Sequence, residues 1–199
     1  MNYLAHAYLS FGNPAWVTGN LISDFVKGKK RYDYPTPIQE GIELHRAIDD
    51  FTDSHEALHS AKEIFRPSYR LYAGAFVDVT FDHFLANDPL HFPDATTLAN
   101  FTGETYKSLS LHYPLLPGIF HTMFDRMKQQ NWLYNYRFHW GMEKSYSGLV
   151  YRAKYLDDAS PAFSLFEQFY DQLKESYDAF FPDLHAFAVK FVNDKFQQE

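Results

Sequence analysis

The chain has 199 residues, a formal net charge of −7 from 18 Lys and Arg against 25 Asp and Glu, and no cysteine. The missing thiols exclude disulfides, thiolate nucleophiles and cysteine-bound zinc or iron–sulfur centres. The acidic balance argues against a general nucleic-acid-binding role and leaves room only for a local basic patch.

Helical periodicity runs through the sequence. Tyr3, Leu4, Ala7, Tyr8 and Phe11 outline a first amphipathic helix, broken at Gly12-Asn13-Pro14. Pro14 suits the first turn of a second helix, which runs to a stop near Gly28. A polar loop from Lys29 to Pro37 follows. Thr36 and Pro37 open a third helix, with Ile38, Ile42, Ala47 or Ile48, and Phe51 toward the core. Pro67 opens a fourth helix through Ala86, closed by Asn87-Asp88-Pro89. A fifth covers Ala95 to His112, and a sixth runs from Pro117-Gly118 to about Asn131. Two more occupy residues 138–155 and 160–195, the last bent at Phe180-Phe181-Pro182. No alternating strand pattern, internal repeat or low-complexity linker interrupts them. The expectation is one all-α domain over residues 1–199, with 20 Phe, 15 Tyr and 3 Trp supplying apolar area for its core. The start lacks the basic and apolar regions of a signal peptide, and no apolar run approaches bilayer length, so a soluble cytoplasmic protein without membrane contact is expected.

Four segments place polar groups one turn apart in otherwise apolar, helix-compatible runs: Asn2–His6, Asn20–Asp24, His45–Asp49–Asp53 and Asp78–Asp82 with His83 beside it. A spacing of four puts side chains on one helix face. Charge there is costly to bury unless it is paired or binds a metal. The His45 segment reads either as a solvated face with i,i+4 pairs or as a metal-binding stripe. Its acids outnumber its one base, Arg46, so it repels itself without a cation nearby. Asp78 and Asp82 lie within Ala73–Leu85, far from either helix end, where a capping role is awkward. Asp24 is a lone acid among Leu21, Ile22, Phe25 and Val26. His6, between two alanines, reads by itself as a core histidine and gains meaning from the other three segments. Lys27, Lys29, Lys30 and Arg31 form the one basic cluster, either a solvated loop or a landing site for phosphate or an acidic partner. His55-Glu56-Ala57-Leu58-His59 matches the short zinc-protease pattern but lacks its extended form, and no strand is present to dock a peptide, so it reads as coincidence.

These segments resemble the acyl carrier protein phosphodiesterases, nearly end to end. The resemblance rests on Met1–His6, Gly19–Gly28, Gly41–Asp49 with Thr52-Asp53, and Asp78–Leu85. A weaker C-terminal pattern takes in Trp132-Leu133, Tyr136, Gly141-Met142 and Arg152. It implies an all-α bundle like the HD-domain metal phosphohydrolases, although the chain has no His-Asp doublet and only the reversed pair Asp82-His83. It implies hydrolysis of the 4′-phosphopantetheine–serine phosphodiester of holo-acyl carrier protein, with Mn²⁺ or Mg²⁺ as cofactor.

On that reading the metal residues are Asp24, His45, Asp49, Asp53, Asp78, Asp82 and His6. Asp24, His45 and His83 do the catalysis, with one spare histidine to protonate the leaving serine oxygen. Arg46, Lys27, Lys29, Lys30 and Arg31 hold the phosphate or the acidic carrier. Carboxylate-rich ligation favours Mn²⁺ or Mg²⁺ over structural zinc. Two other functions stay open on the residues alone: a helical metal phosphohydrolase for a nucleotide or other small phosphoester, and a non-enzymatic helical interaction protein.

Overall fold

The computed structural model describes residues 1–196, among which there are eleven α-helices and no strands. Helix α1 (Tyr3–Tyr8) starts without a local side-chain cap. Its first free N–H groups, those of Leu4 and Ala5, instead donate to the Asp82 carboxylate at 2.8 and 3.1 Å. Asn13 caps α2 (Pro14–Ile22) by accepting from Ala15 and Trp16, with Pro14 at the position where a missing N–H costs nothing. Helix α2 ends earlier than its apolar pattern suggests, passing into a 3₁₀ turn over Ser23–Phe25. The expected loop after it is largely a second 3₁₀ stretch, Gly28–Asp33.

Helix α3 (Thr36–Ser54) begins as expected at Thr36-Pro37. Helix α4 (Ala57–Tyr69) is a departure: Pro67 sits in its last turn rather than opening a helix. Arg70 then takes a positive φ of 48°, and a 3₁₀ turn leads into α5 (Ala73–Ala86). The chain continues through α6 (Ala95–Leu111), capped by Asp94, and α7 (Gly118–Gln129). Asn131, in the left-handed region, permits the short α8 (Trp132–Asn135), which sequence reading misses. Helix α9 spans His139–Arg152. The expected last helix is two, α10 (Ser160–Gln168) and α11 (Tyr170–Phe196), parted at Phe169, while Pro182 stays inside α11.

Helix α5 is the axis of the bundle. From Val79 to Ala86 every residue is buried, and α1, α4, α9 and α11 pack around it. Its Phe76 lies between Phe65, Tyr69 and Tyr146, and Phe81 and Phe84 meet Tyr177. The buried apolar side chains form one continuous cluster. Among the described residues no helix is long and apolar enough to cross a membrane.

The contact that matters most for function is α2 against α3. A Cβ on Gly41 would sit 2.5 Å from the Trp16 carbonyl oxygen, and one on Gly19 would lie 2.9 Å from the Gly41 Cα. The two backbones touch because neither residue has a side chain. That close approach brings Asn20, next to Gly19, against His45, one turn beyond Gly41.

Candidate metal centre

A pocket of about 200 Å³ opens where α1, α2, α3 and α5 meet. His6 and His45 form its floor, Asp24, Asp49 and Asp53 lie around it, and Asp78 closes one side. All four polar segments singled out in the sequence therefore reach one place, and the helical period explains why: each presents one face inward.

The two imidazoles are buried and stacked, with ring centroids 4.1 Å apart. His45 Nδ1 meets the Asn20 amide oxygen at 3.2 Å, which orients the ring and leaves Nε2 facing the pocket. That Nε2 is 3.0 Å from Asp49 Oδ2 and 3.4 Å from Asp24 Oδ1, and His6 Nε2 is 3.3 Å from Asp49 Oδ1. Yet His6 Nδ1, His6 Nε2 and His45 Nε2 make no aligned hydrogen bond within the protein. Buried nitrogen atoms near carboxylates but not bonded to them are an expense a fold ordinarily avoids. His6, His45 and Asp49 each offer a ligand atom within 4.8 Å of the others, so the donor set fits a divalent cation.

The electrostatics agree. Burial pushes His6 down to about 4, and the neighbouring His45 ring adds to the effect. Burial pulls His45 down too, but Asp24 and Asp49 outweigh it and hold the ring up at about 9. Asp49 resists burial because His45 and His6 hold its carboxyl far below the usual range. The His45 ring, 3.4 Å away, lowers Asp24 as well. Two carboxylates thus compete for positive charge that one imidazole supplies only by holding a proton, which is the demand a cation meets.

The other expected residues divide. Asp53 lines the pocket rim but pairs with Lys62 at 3.1 Å. Asp78 lies 3.2 Å from the Met1 α-amino nitrogen, and burial raises its carboxyl. Asp82 lies outside the pocket lining: both its oxygens are committed to Leu4 and Ala5, so its place in the apolar helix is explained by capping α1 from across the fold. Burial lifts its carboxyl to about 7 against the pull of those two N–H groups. His83 faces away as well. Its Nδ1 donates to the Tyr136 carbonyl at 2.7 Å and its Nε2 meets the Tyr170 hydroxyl at 3.0 Å, which leaves it no route to a leaving group in this pocket. Adjacent residues on a helix point about 100° apart, so Asp78, Asp82 and His83 were never all able to face one site.

Arg46 donates to the Val26 carbonyl at 3.4 Å, tying the segment after α2 onto α3, and is absent from the lining. Lys27, Lys29 and Lys30 are exposed and follow Asp24 closely in the chain, and Arg31 lies over the Tyr32 ring. In the zinc-protease-like stretch, His55 ends α3, Glu56 precedes α4 and His59 is exposed on α4, so the two histidines do not share one helix. Thr52, Tyr3 and Asn20 also line the pocket. Thr52 had a signal in the sequence, two turns past His45 on the same face.

A model of the acyl carrier protein phosphodiesterase family matches residues 1–184. The chain belongs to that family. It is 31% identical to the acyl carrier protein phosphodiesterase of Enterobacter sp. (strain 638) over 92% of this chain and 94% of that protein. It is 31% identical to that of Salmonella agona (strain SL483), over 96% and 98% of the two chains. No solved structure matches the chain. The matched region contains the whole pocket and all of α1–α10, so family and site coincide on the same residues.

Proposed function

We propose that the protein hydrolyses the phosphodiester between 4′-phosphopantetheine and serine of holo-acyl carrier protein, giving apo-protein and free 4′-phosphopantetheine, with Mn²⁺ or Mg²⁺ as cofactor. One observation carries the reading beyond family membership. Both ring nitrogens of His6 and the Nε2 of His45 are buried without an aligned hydrogen bond, and the two Nε2 atoms lie within 3.0–3.4 Å of Asp49 and Asp24 in an open pocket. The pocket lining sets four aspartates against the Met1 α-amino group, with no lysine or arginine, so an anionic diester is repelled from it unless a further cation intervenes.

His6, His45 and Asp49 would hold that cation, with Asn20 fixing the His45 ring. When bound, it supplies positive charge against the diester oxygens and makes water more acidic. Asp24 has most of its side chain in solvent, at the mouth of the pocket beside His45. It is placed to orient the attacking water and accept its proton. In the hydrolysis the water oxygen bonds to phosphorus, the phosphorus–serine oxygen bond breaks, and the serine oxygen takes up a proton. Since His83 is remote, that proton comes from solvent at the pocket mouth.

The test is release of 4′-phosphopantetheine from purified holo-acyl carrier protein, read by mass spectrometry of the carrier. Release with Mn²⁺, its loss on chelation and its return on adding metal are expected. Turnover of small phosphoesters without any release from the carrier would reject the substrate.

A further inference from the structure

A second cleft, about 640 Å³, lies between α8, α9 and the start of α1. It is three times the size of the metal pocket and falls in the range, about 300–1,000 Å³, that small ligands occupy. Asn2 and Tyr3 line both, so the two cavities share a wall. Asn2 donates to the Tyr136 hydroxyl at 2.9 Å, which fixes that wall to the second cleft.

The chemistry of the two cavities is opposite. The second cleft contains no carboxylate among its lining residues but has two cations, Lys144 and Arg152. Neither makes an ion pair among the described residues; Lys144 lies 4.9 Å over the Trp140 ring. Val79, Trp132 and Trp140 supply apolar surface, and Asn135, Ser145 and Ser147 supply amide and hydroxyl groups. Burial pushes the Tyr3 hydroxyl up to about 12, with Arg152 pulling it down and Asp24 adding to the rise. Of the weak C-terminal pattern of the sequence, Trp132, Tyr136, Gly141 and Arg152 line this cleft, while Leu133 and Met142 are buried in the core.

We propose that this cleft seats the pantetheine arm of the substrate, with the phosphate held at the shared Asn2–Tyr3 wall. The arm is a flexible, uncharged chain with two amides, a hydroxyl and a geminal dimethyl group. It needs apolar walls with scattered hydrogen-bonding groups, and it is too large for the metal pocket. Arg152, whose charge reaches the Tyr3 hydroxyl at that wall, serves the anionic end that the acidic pocket cannot itself attract, while Lys144 lies with Trp140 along the arm. The occupant is the arm rather than the carrier's own surface because the cleft adjoins the metal pocket at the shared Asn2–Tyr3 wall, beside the site of bond cleavage where the arm's phosphate must lie.

The inference rests on the proposed reaction, and its test separates the two. Free pantetheine, which has neither phosphate nor carrier, is added to the wild-type protein turning over holo-carrier. Competitive inhibition is expected. Trp140→Ala should raise KM for the holo-carrier about tenfold, affect kcat less, and weaken the pantetheine inhibition by the same factor. Lys144→Ala, at an exposed position, gives the same direction if Trp140→Ala fails to fold. Release of 4′-phosphopantetheine with no competition by pantetheine overturns this proposal and leaves the reaction standing. So does an unchanged KM in a folded variant. No release by the wild-type protein overturns both.

Discussion

Placing alanine at Gly41 tests how the site is assembled. The new Cβ would stand 2.5 Å from the Trp16 carbonyl oxygen and 2.8 Å from its Cα. Carbon contacts are optimal near 3.5–4.0 Å, so α2 must retreat from α3 by roughly 1 Å. Both neighbours are backbone, so no side chain can swing aside, and the cost belongs at the upper end of the usual overpacking range of about 1–3 kcal/mol. Alanine's better helix propensity offsets about 1 kcal/mol. The net loss is about 2 kcal/mol, which lowers Tm by about 4–8 °C in a chain of this size. The retreat also carries Asn20 away from His45, and loss of an orienting partner lowers metal affinity by about tenfold or more. Gly103→Ala is the control: it is the same chemical change within α6, with nothing within 4 Å of the added Cβ. It should stabilise, by up to about 1 kcal/mol. Thermal unfolding of both variants and calorimetric titration with Mn²⁺ read the outcome. Equal Tm shifts of the two variants, or undiminished Mn²⁺ affinity in Gly41→Ala, would refute the argument that this contact builds the site.

Asp49→Asn removes the carboxylate that faces both imidazoles. Mn²⁺ binding should weaken at least a hundredfold by calorimetry while the helical circular-dichroism spectrum is kept; full-strength binding would remove Asp49 from the centre. His83 is neutral in the fold because burial pushes its ring down to about 4, against the pull of the Tyr136 carbonyl. The unfolded chain protonates its histidines below about 6.5, so its stabilisation is complete above that pH and is lost as pH falls toward 4, by up to about 3 kcal/mol. Urea unfolding from pH 7 to 4.5 should show a shallower pH slope in His83→Gln, and an identical slope would contradict the neutral ring. Neutralising Lys27, Lys29, Lys30 and Arg31 together should raise KM for the carrier and flatten its salt dependence, since exposed charges act over roughly 8–10 Å near physiological salt. A wild-type KM and salt slope in that variant would place carrier docking elsewhere.

The helical class and the inward-facing stripes were legible in the sequence because the 3.6-residue period is a local property. His45 and Asp49 meet for that reason alone, one turn apart on α3. The same rule says which residues share a face, but not which face turns inward or what meets it. Asp82 therefore looked like a ligand, and only the arrival of the α1 N-terminus across a separation of 78 residues makes it a cap. His83, its neighbour, is rotated onto the Tyr136 and Tyr170 side of α5. Pro67 misled because a proline is tolerated in a last turn whose lost hydrogen bond lies next to a chain reversal, here at Arg70. The second cleft had only the weak C-terminal pattern as a signature, and nothing in that pattern said that its residues share a cavity. Its walls come from α1, α5, α8 and α9, brought together by contacts between residues more than a hundred positions apart, such as Asn2 with Tyr136. Local spacing carries the chemistry of one helix face, whereas the joining of faces into a site depends on the close-packed interior, where a missing Cβ at Gly19 or Gly41 sets how near two backbones can come.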